Sequence, residues 1–318
     1  MSTHRTFPAY VSLDYDLGHG ESAADYPTLE AKLERGIDVV RTALSQYERP
    51  AVMWTGGKDS SLVLYLVQQV CAEDGYEVPP VVFIDHHQHF PEVLAFVERW
   101  ADRWALDLVY ARNVDPAFDR YEPGDDVPLS EFTERNRHEL ARTEFDGDTF
   151  RFTADSLGGN HLLKTVALND AITEYELDGI FSGVRWDEQE ARADETFFSP
   201  RHDAEKYPPH DRVHPILQFD ERALWAAMWG FVVPDAVEGW PEGHVPESTD
   251  DLAGFAVEDL PVSPKYFEGF RSLGTEDGSA KSSDTPAWLQ DLEGTTEREG
   301  RAQDKEGLME RLRDLGYM

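Results

Sequence analysis

Apolar positions change their period along the chain wherever a capping residue, proline or glycine pair intervenes. Leu29, Leu33, Ile37, Val40 and Leu44 recur at helical spacing behind Thr28, whose hydroxyl suits an N-cap. Glu48-Arg49-Pro50 ends that helix, and the apolar run Ala51-Val52-Met53-Trp54 then reads as a buried strand that stops at Gly56-Gly57. Helical periodicity returns over residues 60–70. A strand at 81–85, a helix at 91–105 and a strand at 106–110 follow. The order β-α-β-α-β predicts a doubly wound α/β domain, a mostly parallel five-stranded sheet with helices on both faces.

Residues 113–157 interrupt this alternation. They are rich in Asp, Glu, Arg and Pro with little apolar periodicity, and predict a polar excursion or lid. Alternation resumes with a helix at 161–175, a strand at 179–183, a charged loop at 185–209 and a helix at 221–231. His214-Pro215 reads as a strand entry, and Trp225 and Trp229, four apart, as helix packing. The tail is Pro/Gly-rich and less regular, with a flexible connection at 274–284 and a short last helix at 308–315. The expected organisation is an N-terminal arm (1–27), a nucleotide-binding domain (28–235) and a C-terminal extension closing over the site (236–318).

Composition narrows what such a fold serves. With 40% hydrophobic and 12% aromatic residues in 318, the chain has enough apolar material for a core and is no disordered acidic chain. Lys+Arg 29 against Asp+Glu 63 gives a net charge of −34, which repels nucleic-acid backbones. Lysine is scarce among the basic residues. Acidic excess of this kind suits a halophilic source, where molar salt screens charge within about 3 Å. No apolar run approaches the ~18 residues of a membrane span, and the polar N-terminus lacks a secretory core, so a cytoplasmic location is expected. A single cysteine excludes an internal disulfide framework.

The segment Thr55-Gly56-Gly57-Lys58-Asp59-Ser60-Ser61 joins the first strand to a helix. Glycines let the main chain approach a ligand, and a helix start offers free N–H groups with partial positive charge to phosphate oxygens. Ser60 and Ser61 add hydroxyls and Lys58 a cation. The same segment also reads as a plain βα turn with a serine cap. It is not the GxxxxGK[ST] loop, because its glycines and lysine are spaced differently.

This loop resembles the SGGxDS signature of the PP-loop ATP pyrophosphatases, with Thr55 in the first serine position. That resemblance implies an adenine nucleotide alpha hydrolase-like fold, a loop that grips the pyrophosphate part of ATP, and cleavage between the α and β phosphates. Further segments are similar, in order, to the small subunit of sulfate adenylyltransferase: Leu29-Glu30-Ala31, Glu48-Arg49-Pro50, Asp85 with Phe90 and Glu92, and Lys164-Thr165. Gly183-x-Arg185-x-Asp187-Glu188 matches that family's GxRxDE, with Arg192 and Arg201 after it. The tail adds Arg271-x-Leu273-Gly274 and Thr295-Thr296-x-Arg298-x-Gly300-Arg301.

The implied reaction joins ATP and sulfate into adenylyl sulfate and pyrophosphate. Sulfate is already an oxyanion, so no general base is required; the work is to position two anions and stabilise charge on the leaving pyrophosphate. The resemblance assigns ATP contacts to Thr55, Gly56, Gly57, Lys58, Asp59, Ser60, Ser61, Asp85 and Gly183. It assigns catalysis to Lys58, Arg185 and Lys164, and sulfate or phosphate contacts to Arg185, Arg192, Arg201, Arg298 and Arg301. Magnesium travels with ATP, no redox cofactor or resident metal is expected, and the partner would be a separate GTPase large subunit.

Bland roles stand beside these. Asp59 equally suits a helix N-terminus, Lys164 a solvated helix face, and the arginines pairing with Asp187, Glu188 and Glu190. Asp85 equally suits packing, and Asp85-His86-His87-x-His89 lacks a signposted fourth ligand for zinc. The related adenylyl-sulfate and phosphoadenylyl-sulfate reductases need a mobile C-terminal cysteine nucleophile. Here the one cysteine is Cys71, ~16 Å along a helix from Ser60, and Thr275 stands where the transferase family often has cysteine. A reductase, a non-catalytic nucleotide-binding paralogue and a thiolating or amidating ligase remain the rival readings.

Overall fold

The computed structural model describes residues 6–189, 192–241, 243–295 and 297. Strand β1 (Pro50–Met53) lies at the centre of a six-stranded sheet with β2 (Val81–Ile84) and β3 (Leu108–Ala111) on one side. On its other side lie β6 (Gly179–Phe181), β8 (His210–Val213) and β7 (Phe198–Arg201). The order is β3-β2-β1-β6-β8-β7, parallel throughout except β7, which runs antiparallel to β8. The sequence predicts five strands; the sixth is this antiparallel edge strand, inside a stretch whose charged residues conceal it. His214-Pro215 accordingly follows a strand rather than entering one.

Strand alternation sorts the core into two layers. Val52, Val81, Phe83, Phe181 and Val213 face the larger apolar cluster with α1 (Leu29–Gln46), α2 (Lys58–Asp74) and α3 (Pro91–Arg103). Ala51, Val82, Ile84, Ala111 and Ile180 face the other layer, covered by helix Ala167–Glu174 through Ala167, Leu168, Ala171 and Ile172. Thr28 caps α1 as its sequence predicts, accepting from Ala31 N–H at 3.1 Å.

The excursion is more structured than its polarity suggests. Strands β4 (Asp126–Pro128) and β5 (Thr149–Arg151) pair antiparallel, and helix Glu134–Arg142 packs beside them. Phe118, Val127, Phe132, Leu140, Phe150 and Phe152 build a separate small core with Leu162 and Leu163. These apolar residues are scattered in sequence, so their cluster carries no readable period.

The expected helix over 161–175 is present but changes pitch: His161–Val166 is π-helical and Ala167–Glu174 α-helical. Aromatic packing ties described residues beyond 236 to the domain: Trp240 stacks on Trp229 with centroids 5.3 Å apart, and Trp288 meets Trp225, Trp229 and Phe267. The expected helix at 308–315 lies outside the described residues. No helix among the described residues is long and apolar enough to cross a membrane.

Candidate active site

After β3 the chain returns to place β6 on the opposite side of β1, so β1 and β6 flank the switch point of the sheet, where parallel α/β folds open a crevice beyond their carboxyl ends. The loop from Thr55 leaves β1 at this place and enters α2. Gly56 has φ +73°, and a Cβ there would stand 2.8 Å from Val97 Cγ2 on α3, so both the turn and the packing call for glycine. Ser60 Oγ donates to Gly57 O at 3.1 Å and accepts from Thr55 N–H at 3.1 Å, fixing the loop from within. Ser61 turns inward, its Oγ accepting from Trp54 Nε1 at 2.9 Å.

A cavity of about 280 Å³ opens over this loop. Thr55, Gly57, Lys58, Asp59, Ser60 and Gly183 line it, together with Lys164 and Arg192. Gly56, Ser61, Asp85, Arg185 and Arg201 are not in its lining. Asp85 falls outside because Ile84, one position earlier in the alternation, faces the cavity; its carboxylate accepts from His87 N–H at 3.0 Å instead. Arg201 donates to Ser199 Oγ at 2.7 Å on the edge strand. Arg298 and Arg301 lie outside the described residues.

Beneath the cavity sits a buried charge cluster. Arg185 donates through Nε to Asp59 Oδ1 (2.5 Å), through NH1 to Asp187 Oδ1 (2.5 Å), and through NH2 to Glu297. Lys58 Nζ reaches Glu297 Oε1 at 2.6 Å, Asp59 Oδ2 at 3.1 Å and Arg271 O at 3.1 Å, which uses all three of its protons. The sequence treats Lys58 as a mobile cation; the structure holds it at 1% side-chain exposure. Burial alone would lower its pKa, but Asp59 and Glu297 outweigh that and hold it above the usual lysine range. For Asp59, burial pushes upward and the Lys58 and Arg185 charges prevail, keeping it ionised. Burial raises the Asp187 carboxyl against the pull of Arg185.

Tyr266 and Arg212 line the cavity without a signal for it in the sequence. Tyr266, distant along the chain, accepts from Lys58 N–H at 2.9 Å through its hydroxyl, and no local pattern signals that meeting. Arg212, at the end of β8, lines the cavity and donates through Nε to His210 Nε2 at 3.0 Å. His86 and His89 stack at 3.6 Å and line the cavity. Burial pushes His89 down to about 4 and His86 further, so both are neutral at pH 7. Among the described residues no group of three or more His, Cys, Asp or Glu is arranged to hold a metal. Thr275 donates to Asp155 Oδ2 at 2.8 Å beside the same cavity.

The switch-point crevice and its glycine-rich strand-to-helix loop lie within a stretch that a family model matches. The phosphoadenosine phosphosulfate reductase domain matches residues 49–234, more than half of the chain, and the chain belongs to that family. Among curated proteins it is similar to sulfate adenylyltransferase subunit 2 of Rhizobium meliloti (strain 1021), 27% identical over 86% of this chain and 74% of that protein. The subunit 2 of Hahella chejuensis is 25% identical over 96% of this chain and 99% of its own length. Among solved structures, Candida glabrata FMN adenylyltransferase superposes with a TM-score of 0.53 at 15% identity, covering 89% of this chain and 94% of that one. At that identity the likeness concerns the fold.

Proposed function

We propose that the chain transfers AMP from ATP to sulfate, releasing pyrophosphate, as a sulfate adenylyltransferase small-subunit-like enzyme. The observation that carries this reading is the cavity's lining. The loop Thr55–Ser60 and Lys164, Arg192 and Arg212 share one crevice, and no cysteine lines it. Anion-binding groups suit two anionic substrates, whereas a reductase needs a thiol within reach of the sulfonate. Cys71 is buried, and burial pushes its thiol up to about 11.

In this reading the loop amides, Ser60 and Lys58 take the β and γ phosphates, and the α2 N-terminus stabilises charge as it gathers on the departing pyrophosphate. Asp59 and Arg185 set the loop's position, and Gly183 lets the end of β6 approach it. Lys164, Arg192 and Arg212 hold sulfate against the α-phosphate for in-line attack, a task of orientation rather than proton transfer. Magnesium enters with the triphosphate, whose charge it neutralises, and Asp155 and Glu188 at the cavity offer hard oxygen donors toward it.

The division into a nucleotide-binding domain (28–235), its excursion (113–157) and a closing extension (236–318) belongs to this proposal. So do Arg298 and Arg301 as tail contacts, a separate GTPase subunit as partner, a cytoplasmic location and a halophilic source. The test is pyrophosphate release from ATP and Mg²⁺ with sulfate or molybdate. Anion-dependent release that Lys58→Ala removes supports the transferase; release unaffected by either anion refutes it.

A further inference from the structure

We infer that the C-terminal segment carries an internal anion, the Glu297 carboxylate, that occupies the loop's cations and must leave before a triphosphate can bind. This rests on the phosphate-loop reading above and concerns how that site is controlled. Glu297 lines the cavity, with one carboxylate oxygen 2.6 Å from Lys58 Nζ and the other on Arg185. Its side chain is only 8% exposed. A second tail group, the Tyr266 hydroxyl, takes the Lys58 N–H at 2.9 Å, one of the helix-start donors a phosphate oxygen would use. The tail is moored nearby: Arg271 donates through NH1 to Thr295 Oγ1 at 2.5 Å and pairs with Glu221 through NH2.

Charge balance separates an occupant from a structural tie. Lys58 and Arg185 are already matched by Asp59, which contacts both, and by Asp187, which contacts Arg185. Glu297 is a third carboxylate on two cations, and a buried charge beyond compensation is costly to keep. Burial does push its carboxyl upward, against the pull of Lys58 and Arg185. Oxygens of a diphosphate would meet the same two cations in its place. With Glu297 seated, the incoming anion meets a cluster of net negative charge; with it gone, the cluster is balanced and the Lys58 proton it held is available to a phosphate oxygen, the other two staying on Asp59 and Arg271 O. Apparent affinity is then the intrinsic affinity reduced to the fraction of molecules in which Glu297 is off Lys58.

Calorimetric titration of the full chain with the α,β-methylene analogue of ATP and Mg²⁺ tests this, comparing wild type, Glu297→Gln and Lys58→Ala. The expected result is affinity tighter by about 5-fold or more in Glu297→Gln and lost in Lys58→Ala. Equal or weaker binding in Glu297→Gln overturns the inference. A structure of the wild-type chain with the analogue bound gives a second readout that needs no variant. Glu297 displaced from Lys58 supports the inference, and the contact intact beside a bound analogue overturns it while leaving the phosphate loop standing. Absence of analogue binding in every protein overturns both.

Discussion

Arg185 and Asp59 meet through a guanidinium Nε donating to a carboxylate oxygen at 2.5 Å, although 126 positions separate them. The contact ties the loop after β6 to the first turn of α2, across the switch point at which the cavity opens. The loop's position is therefore set by a buried ion pair as well as by its own turn.

Replacing Arg185 by alanine leaves Asp59, Asp187 and Glu297 facing one another without their shared counter-charge. A loss of about 3–5 kcal/mol is expected, the range for breaking a buried pair from one side. Arg185→Lys keeps the charge but cannot serve three carboxylates with the Nε, NH1 and NH2 fork, and should fall between. Urea unfolding measures both; an alanine variant with an unchanged midpoint contradicts the cluster's role.

Gly183 faces a harder constraint than its motif conveys. A Cβ there would lie 2.8 Å from Asp59 C and 2.9 Å from Ser60 N, both main-chain atoms of the loop. Gly183→Ala must shift the loop, and ATP affinity should fall measurably. Gly230, with nothing within 4 Å of its Cβ position, supplies the control: Gly230→Ala should leave affinity unchanged. Equal affinities in the two variants would refute the close approach.

The βαβαβ half was legible because each element is short, apolar and closed by a capping residue, proline or glycine. β1, α2, β2 and α3 all stand within a few residues of where periodicity puts them. The glycine-rich loop was legible for the same reason, since every residue it uses for its own turn is adjacent in sequence. Partners contributed from far away were not. Tyr266 and Glu297 reach Lys58 from over two hundred positions downstream; nothing near Tyr266 signals an anion site, and the motif around Glu297 points to Arg298 and Arg301 rather than to the carboxylate between Thr296 and Arg298. The edge strand β7 was hidden because Ser199 and Arg201 interrupt its apolar residues, and the excursion's core because its phenylalanines come singly. At the end of β2, Ile84 faces the cavity while Asp85, the next residue, is not in its lining.

Buried neutral histidines give the protein a weakness to mild acid. Burial lowers His89 and His214 to about 4, from an ordinary 6.5, despite the opposing Asp85 and Glu195 charges. The unfolded chain takes up these protons first, so stability present above pH 6.5 is lost as pH falls toward 4. Glu139 acts in a lower window: His161 and Arg142, outweighing burial, depress it to about 2, and its contribution disappears only between 4.5 and that value. Urea midpoints at pH 7.5, 6 and 5 should decline, with a shallower decline in His214→Gln. Parallel curves for the two proteins contradict the assignment.

Cys71 lies in α2 with its thiol donating to Glu77 O at 3.6 Å, far from any role in sulfur chemistry. Cys71→Ala should cost stability modestly, about 1 kcal/mol for the small volume lost, and leave anion-dependent pyrophosphate release intact. Sulfite formation from adenylyl sulfate with a thiol donor, abolished in that variant, would establish a reductase instead.

The most direct measurement runs the transfer backwards, where no GTPase is needed to drive it. Adenylyl sulfate and pyrophosphate, with Mg²⁺ and the purified chain, should yield ATP and sulfate in equal amounts, and Lys58→Ala should yield none. Failure of the wild-type chain to form ATP from these substrates, or equal yields from both proteins, would contradict adenylyl transfer at the Thr55–Ser61 loop.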